Sequence, residues 1–215
     1  MIRGKHAARL AALAGMALLG ACATAEKVVT PVTDISGREC AATPDLSKAA
    51  ALAFKPKDET AQTVDIAATG TTPCIKTAGG PAFYVAYALP QTDANYVIGV
   101  DSAAQGMTMF APHVMLLGAD GSVKREYSAA TMEFRRQGIG ISMRNHAGES
   151  YLVVASDPTA VGKSELRINE ATQVYYGSVG AGTYQVHTGS ESEDKYVYAH
   201  NGRLVVTITP IDPPK

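Results

Sequence analysis

From residue 80 onward the chain runs as short stretches rich in Val, Ile, Tyr and Phe, each closed by turn-forming residues. This pattern constrains the fold more than any other feature. Side chains of a strand point alternately to its two faces, so a stretch that alternates apolar and polar residues fits a sheet with one wet side. Tyr96, Ile98 and Val100 alternate in this way with Val97, Gly99 and Asp101. The 150–156 stretch is apolar on both sides at Val153 and Val154, as a central strand would be. Strands are expected near 82–89, 95–101, 112–118, 122–127, 131–136, 138–145, 150–156, 172–178, 182–188, 194–199 and 203–209, with one more at 62–68. Many short strands at this spacing predict a mainly β chain folded as an antiparallel β-sandwich.

The punctuation agrees. Asp120-Gly121 and Asn201-Gly202 are hairpin-type pairs, Asp157-Pro158 breaks a strand, and the 177–182 run (GSVGAG) reads as a hairpin loop. One short N-terminal helix is expected over 45–54 (DLSKAAALAF), with Asp45 as its cap. The proline-rich end, 210–215, cannot extend a ladder.

The first residues carry a different signal. Arg3, Lys5 and Arg9 precede an uncharged apolar run at 10–21. A run of that length suits a secretory signal and is short for a membrane-spanning helix. Leu19-Gly20-Ala21-Cys22 then resembles the lipobox of bacterial lipoproteins. The resemblance implies a signal peptide over 1–21, lipidation of Cys22 by palmitate-type acyl chains, and anchorage in the cell envelope. A single acyl chain holds a protein at a membrane only marginally, whereas several make the attachment lasting. Ala23 follows the cysteine where enterobacterial inner-membrane lipoproteins carry Asp, so the resemblance favours the outer membrane, with the protein facing the periplasm. Residues 22–44, rich in small residues, Thr and Pro, read as a flexible tether. The expected organisation is thus signal peptide 1–21, tether 22–44, helix and linker segment 45–79, and sandwich 80–215.

Three cysteines then divide sensibly. With Cys22 lipidated, Cys40 and Cys74 remain as a candidate disulfide in an oxidising compartment. Two free thiols, or a two-cysteine half-site for a metal, are the alternatives. Three of the 19 basic residues and none of the 20 acidic ones lie in 1–21, which leaves 16 against 20 and a net charge of −4. No basic stripe remains, so nucleic-acid binding is not expected.

Catalytic patterns are weak. His113, His146, His187 and His200 form no zinc spacing, and no cofactor or metal is implied. Ser178 in Tyr-Gly-Ser-Val-Gly lacks the spacing and following helix of a nucleophile elbow. The 177–182 glycines have β-type flanks and not the helix N-terminus of a phosphate loop. Glu191, Glu193 and Asp194 fit a solvated loop better than a calcium site, Asp120 fits a turn, and Arg135, Arg136 and Arg144 fit strand-face charges. Half of the ten tyrosines fall late: Tyr175, Tyr176, Tyr184, Tyr196 and Tyr198. They are candidates for a ligand-binding face, although tyrosine is also a favoured packing residue of strands.

Two resemblances follow from the strand order. The 83–157 stretch resembles pre-peptidase C-terminal accessory sandwiches, which implies a jelly-roll-like β-sandwich. Ala82-Phe83-Tyr84, Leu89-Pro90, the 110–117 run (FAPHVMLL) and the Tyr151 strand resemble the maltose-operon periplasmic protein family (MalM), as do the 157–164 segment (DPTAVGKS) and His200-Asn201-Gly202-Arg203-Leu204. The resemblance implies an exported β-rich protein associated with carbohydrate transport, with no catalytic residues to carry over. The sequence therefore leads to a non-enzymatic, lipid-anchored accessory or interaction module with an envelope protein as partner. The alternative is a carbohydrate or small-ligand binding protein associated with maltodextrin-type uptake.

Overall fold

The computed structural model describes residues 32–53, 60–67, 69–135, 138–180 and 182–211. The signal segment, Cys22, Arg136 and the last four residues lie outside these. The described chain is mainly β. Its strands are β1 (Ala50–Ala51), β2 (Thr60–Ile66), β3 (Cys74–Thr77), β4 (Gly80–Ala88), β5 (Tyr96–Ala103), β6 (Thr108–Phe110), β7 (Pro112–Leu117) and β8 (Val123–Tyr127). Then come β9 (Glu133–Arg135), β10 (Gly138–Arg144), β11 (Tyr151–Ser156), β12 (Ser164–Val179), β13 (Gly182–Ala199) and β14 (Gly202–Pro210).

They form three sheets. The first has the order β1-β4-β11-β7-β8, with β3 also paired to β4. The second is β2-β14-β5-β10-β9, and the third is β12-β13-β6. Most pairs are antiparallel; the short β1–β4 and β13–β6 pairs are parallel. The first two sheets pack face to face, as the alternation at 96–101 requires. Phe83, Val114, Leu116, Leu152 and Val154 from one meet Ile98, Val100, Leu204, Val206 and Ile208 from the other. All are essentially buried. β11, between β4 and β7, is apolar on both faces, since Val153 and Ala155 join a second cluster on the outer side of the first sheet.

The N-terminal segment lies over that outer side. Leu46 packs against the second cluster, beside Ile75, Tyr84 and Met115. The Tyr84 hydroxyl accepts the Asp45 backbone N–H at 2.8 Å. Cys40 and Cys74 stand at disulfide distance, with S–S 2.07 Å and Cα–Cα 5.0 Å. Ala41 bridges to Ile75 beside them, and Ile35 is buried in the main core.

Several expectations change. Within the segment 22–44 expected as a flexible tether, Ile35 and Cys40 are buried in the main core and Cys40 is tied to Cys74, so residues from Ile35 onward belong to the body. The helix expected over 45–54 is a single 3-10 turn, Leu46–Lys48, followed by strand β1. Asp45 does cap it, accepting from the Ser47 N–H at 3.2 Å. So short an alanine run is too costly to nucleate as a helix without packing support. The β4 edge offers backbone partners instead: Ala50 and Ala51 register with Tyr87 and Ala88, and the Leu52 N–H donates to the Ala88 carbonyl. Asn201-Gly202 closes no hairpin. It carries the chain from the third sheet into the second. Gly202 has φ +151°, and a Cβ there would lie 2.9 Å from the Phe110 nitrogen, so the crossing needs glycine twice over.

The turn between β10 and β11 is pinned by a buried ion pair. The Glu149 carboxylate, 1% exposed, accepts from Arg125 Nε at 2.6 Å and Nη2 at 2.8 Å, and from the His146 N–H at 2.9 Å. Removing one member of such a pair strands the other charge, at a cost of about 3–5 kcal/mol. Chemical denaturation of Glu149→Ala should show a loss of that size. The double replacement Arg125→Met with Glu149→Leu, which leaves no orphan charge, should cost far less.

Candidate functional site

The third sheet is unlike the other two. β12 and β13 pair over their whole length, from Ser164↔Val197 to Val179↔Gly182, without a break in register. Among the described residues only Val197–Ala199 finds a third strand, β6. Beyond its base the hairpin is therefore a two-stranded ribbon. From Leu166 to Val179 it spans about 45 Å at roughly 3.3 Å per residue. Its far end exposes Val174, Tyr175, Tyr176, Tyr184 and Val186, with Tyr176 79% accessible.

Register assigns these side chains to faces. Tyr175 lies opposite Val186 and Gly177 opposite Tyr184, so these four share one face. The Tyr184 ring covers Gly177: a Cβ there would lie 2.3 Å from the ring. Glycine weakens a strand interior, and an aromatic ring laid over it restores the lost contact. Val174 and Tyr176 occupy the other face, opposite His187 and Gln185. The Tyr175 hydroxyl donates to Gln173 Oε1. Residues 171–190 contain no Asp, Glu, Lys or Arg. Glu170 and Glu191, directly opposite each other in register, bound this neutral span.

The five late tyrosines do not make one surface. Tyr175, Tyr176 and Tyr184 gather at the far end. Tyr196 and Tyr198 stand at the base, where Tyr198 is buried with Met109, Ala111 and Ile139. Burial pushes the Tyr198 hydroxyl up to about 12. The acidic run expected as a loop is part of β13. Glu193 is exposed, and Asp194 registers with Arg167. The 177–182 glycines close the hairpin, with Gly180 at φ +62°. Ser178 is exposed near that tip. His113 lies 3.4 Å from Glu126, and His146 and His187 are exposed. Among the described residues no group of three or more His, Cys, Asp or Glu is placed to hold a metal ion.

Two further places carry polar chemistry. A half-open cleft of about 560 Å³ lies between β2 and β4, with Val64, Ile66 and Tyr87 among its apolar walls and Asp45, Lys48 and Gln62 among its polar groups. The volume is in the range that holds small ligands. The other is Ser156 with His200, which sequence spacing could not bring together. Ser156 Oγ lies 2.8 Å from His200 Nδ1 and accepts the Phe83 N–H at 3.1 Å. Ser156 is fully buried, so substrate cannot reach its hydroxyl. The pair joins β4, β11 and the β13–β14 crossing. Phe83 meets the His200 ring edge-on at 6.4 Å.

Burial lowers the His200 pKa from its ordinary 6.5, and the distant Asp34 carboxylate opposes this only in part. Above pH 6.5 the folded and unfolded chains both hold this imidazole neutral. Below it the unfolded chain takes up a proton that the folded chain refuses until its own lower value is reached. Stability should therefore decline as pH falls from about 6.5 and level off below the folded value. Denaturation midpoints measured at intervals down from pH 7.5 check this. His200→Asn, which keeps an acceptor and removes the titration, should flatten the decline.

No family model, curated protein or solved structure matches the chain.

Proposed function

We propose that this protein is a non-enzymatic interaction module of the bacterial cell envelope, anchored by acyl chains on Cys22 and holding its sandwich and ribbon in the periplasm. Residues 22–31 serve as the tether in this reading, and the jelly-roll-like body as the platform. The ordered signal of Arg3, Lys5 and Arg9, apolar run and Leu19-Gly20-Ala21-Cys22 supports the anchor. Ala23 favours the outer membrane. The cysteine pair at bonding distance is in keeping with an oxidising compartment.

One observation carries the module reading. The ribbon reaches out from the body and ends in exposed tyrosines and valines on both faces. Large apolar groups gathered on an exposed element mark contact surfaces more often than catalytic ones. Tyrosine suits that role, since it gives wide contact at small entropic cost.

A second reading is favoured by the cleft between β2 and β4. Tyr84 and Tyr87 with Asp45, Gln62 and Asp65 offer rings and hydrogen-bonding groups of the kind that hold a sugar. This would make the protein a carbohydrate binder in maltodextrin-type uptake, as the family resemblance implies.

Fractionation tests the anchor. Cys22→Ser should move the protein from the membrane pellet to the soluble fraction; unchanged pelleting and normal processing overturn lipidation. Extraction in mild detergent tests the module: replacing Tyr175, Tyr176 and Tyr184 by Ser should abolish partner co-purification and leave the thermal midpoint within a few degrees. For the second reading, maltodextrins at millimolar concentration should raise that midpoint, because binding to the native state alone stabilises it. An unchanged midpoint across a glycan panel excludes it.

A further inference from the structure

The ribbon leaves its β12 edge open. From Leu166 to Val179 the backbone groups that face away from β13 meet no further strand among the described residues. Native proteins guard such edges with charges, prolines or bulges, because a bare edge is a template for another strand. Here the guards are missing where they matter. Residues 171–190 contain no charged residue and no proline, and the register with β13 has no bulge.

We infer that β12 pairs antiparallel with β12 of a second copy of this chain, joining two ribbons into one four-stranded sheet about a two-fold axis. This rests on the interaction-module reading and names the partner. Charge decides the occupant. An axis at Tyr175 sets 172–178 of one copy against 178–172 of the other, and both segments are neutral. No like charges meet, which is the usual penalty for bringing identical surfaces together. The same neutral span gives a foreign protein no charge pattern to recognise, and an anionic lipid surface no lysine or arginine to attract.

Apolar cover agrees. Val174, Tyr175 and Tyr176, all exposed, stand at the axis in both copies, so pairing covers large side chains as well as open backbone. The β13 edge is the poorer template. It carries three acids together, Glu191, Glu193 and Asp194, whereas β12 sets Arg167 between Glu165 and Glu170. Pairing through β12 alone is isologous and closes at two copies.

The test uses two differently tagged versions of the full chain, expressed together in a bacterial host, with a photo-crosslinking amino acid at Gln173. Irradiation should give an adduct at twice the chain mass that carries both tags. Val174→Lys with Tyr176→Lys sets four positive charges about the axis and should lower that adduct about ten-fold or more. An undiminished adduct in the double variant overturns the pairing. An adduct only with a different protein also overturns it, while leaving the interaction-module reading in place. An adduct only with lipid, or no adduct at all, overturns both.

Discussion

The two large sheets hold together because each turns an unbroken apolar face to the other. Ile98, Val100, Leu116, Leu152, Val154, Leu204, Val206 and Ile208 are all fully buried in that layer. Every other feature accommodates it. Buried polar groups at its margins are paired in several places, as Ser156 is with His200 and Glu149 is with Arg125. Ser102 donates from inside it to the Phe110 carbonyl at 2.8 Å. A buried hydroxyl or carboxylate left without a partner would cost more than a typical hydrogen bond contributes. These joints stand at strand ends and crossings, where the ladder cannot satisfy the backbone alone.

The first sheet poses a second problem, since its outer side is also apolar. Ala82, Tyr84, Met115, Leu117, Val153 and Ala155 lie there and are buried. An apolar sheet face open to water would be an adhesive patch. Residues 35–52 help to close it, fastened at several points. Leu46 packs on it, and the link between Cys40 and Cys74 ties the segment to β3. Arg38 donates to the Thr69, Gly70 and Thr72 carbonyls, with its guanidinium 5.0 Å from the centre of the Phe83 ring. Closing a loop of this size contributes roughly 3–4 kcal/mol in the chain-entropy picture. The segment thus wraps the edge of the sheet, with Ile35, Cys40 and Leu52 set in the inner core and Leu46 packed on the outer side.

Strand positions were legible because burial on one side of a sheet writes a period of two into the chain. Tyr96, Ile98 and Val100 showed it, and Val153 with Val154 marked a strand enclosed on both sides. The ribbon was half legible. Strands near 172–178, 182–188 and 194–199 were visible, but not that they belong to one hairpin. Ser190, Glu191, Ser192, Glu193 and Asp194 have low strand propensity and read as a loop. They are strand because β12 runs alongside and pairs with every one of them. The 45–54 segment misled in the opposite sense. Its alanines favour helix locally, yet an open β4 edge satisfies Ala50 and Ala51 as strand. Ser156 and His200 could not be paired from spacing, because 44 residues and a sheet crossing separate them.

The ribbon follows a different physics from the body. A two-stranded hairpin in water is marginal, since neither face has a core to bury. This one is held at its base by the β6 pairing and by Tyr198 set among Met109, Ala111 and Ile139. Farther out, each backbone bond has only its partner strand and local side chains for support. The Tyr184 ring over Gly177 is one such local support. Stability therefore falls from base to tip, so the tip is the part most able to adjust to what it meets. The same gradient explains why exposed tyrosines are tolerable there. Their rings stiffen a segment with no core beneath it, and leave one side free for contact. An added strand along β12 would supply what the ribbon lacks: backbone partners on its open edge and cover for those rings.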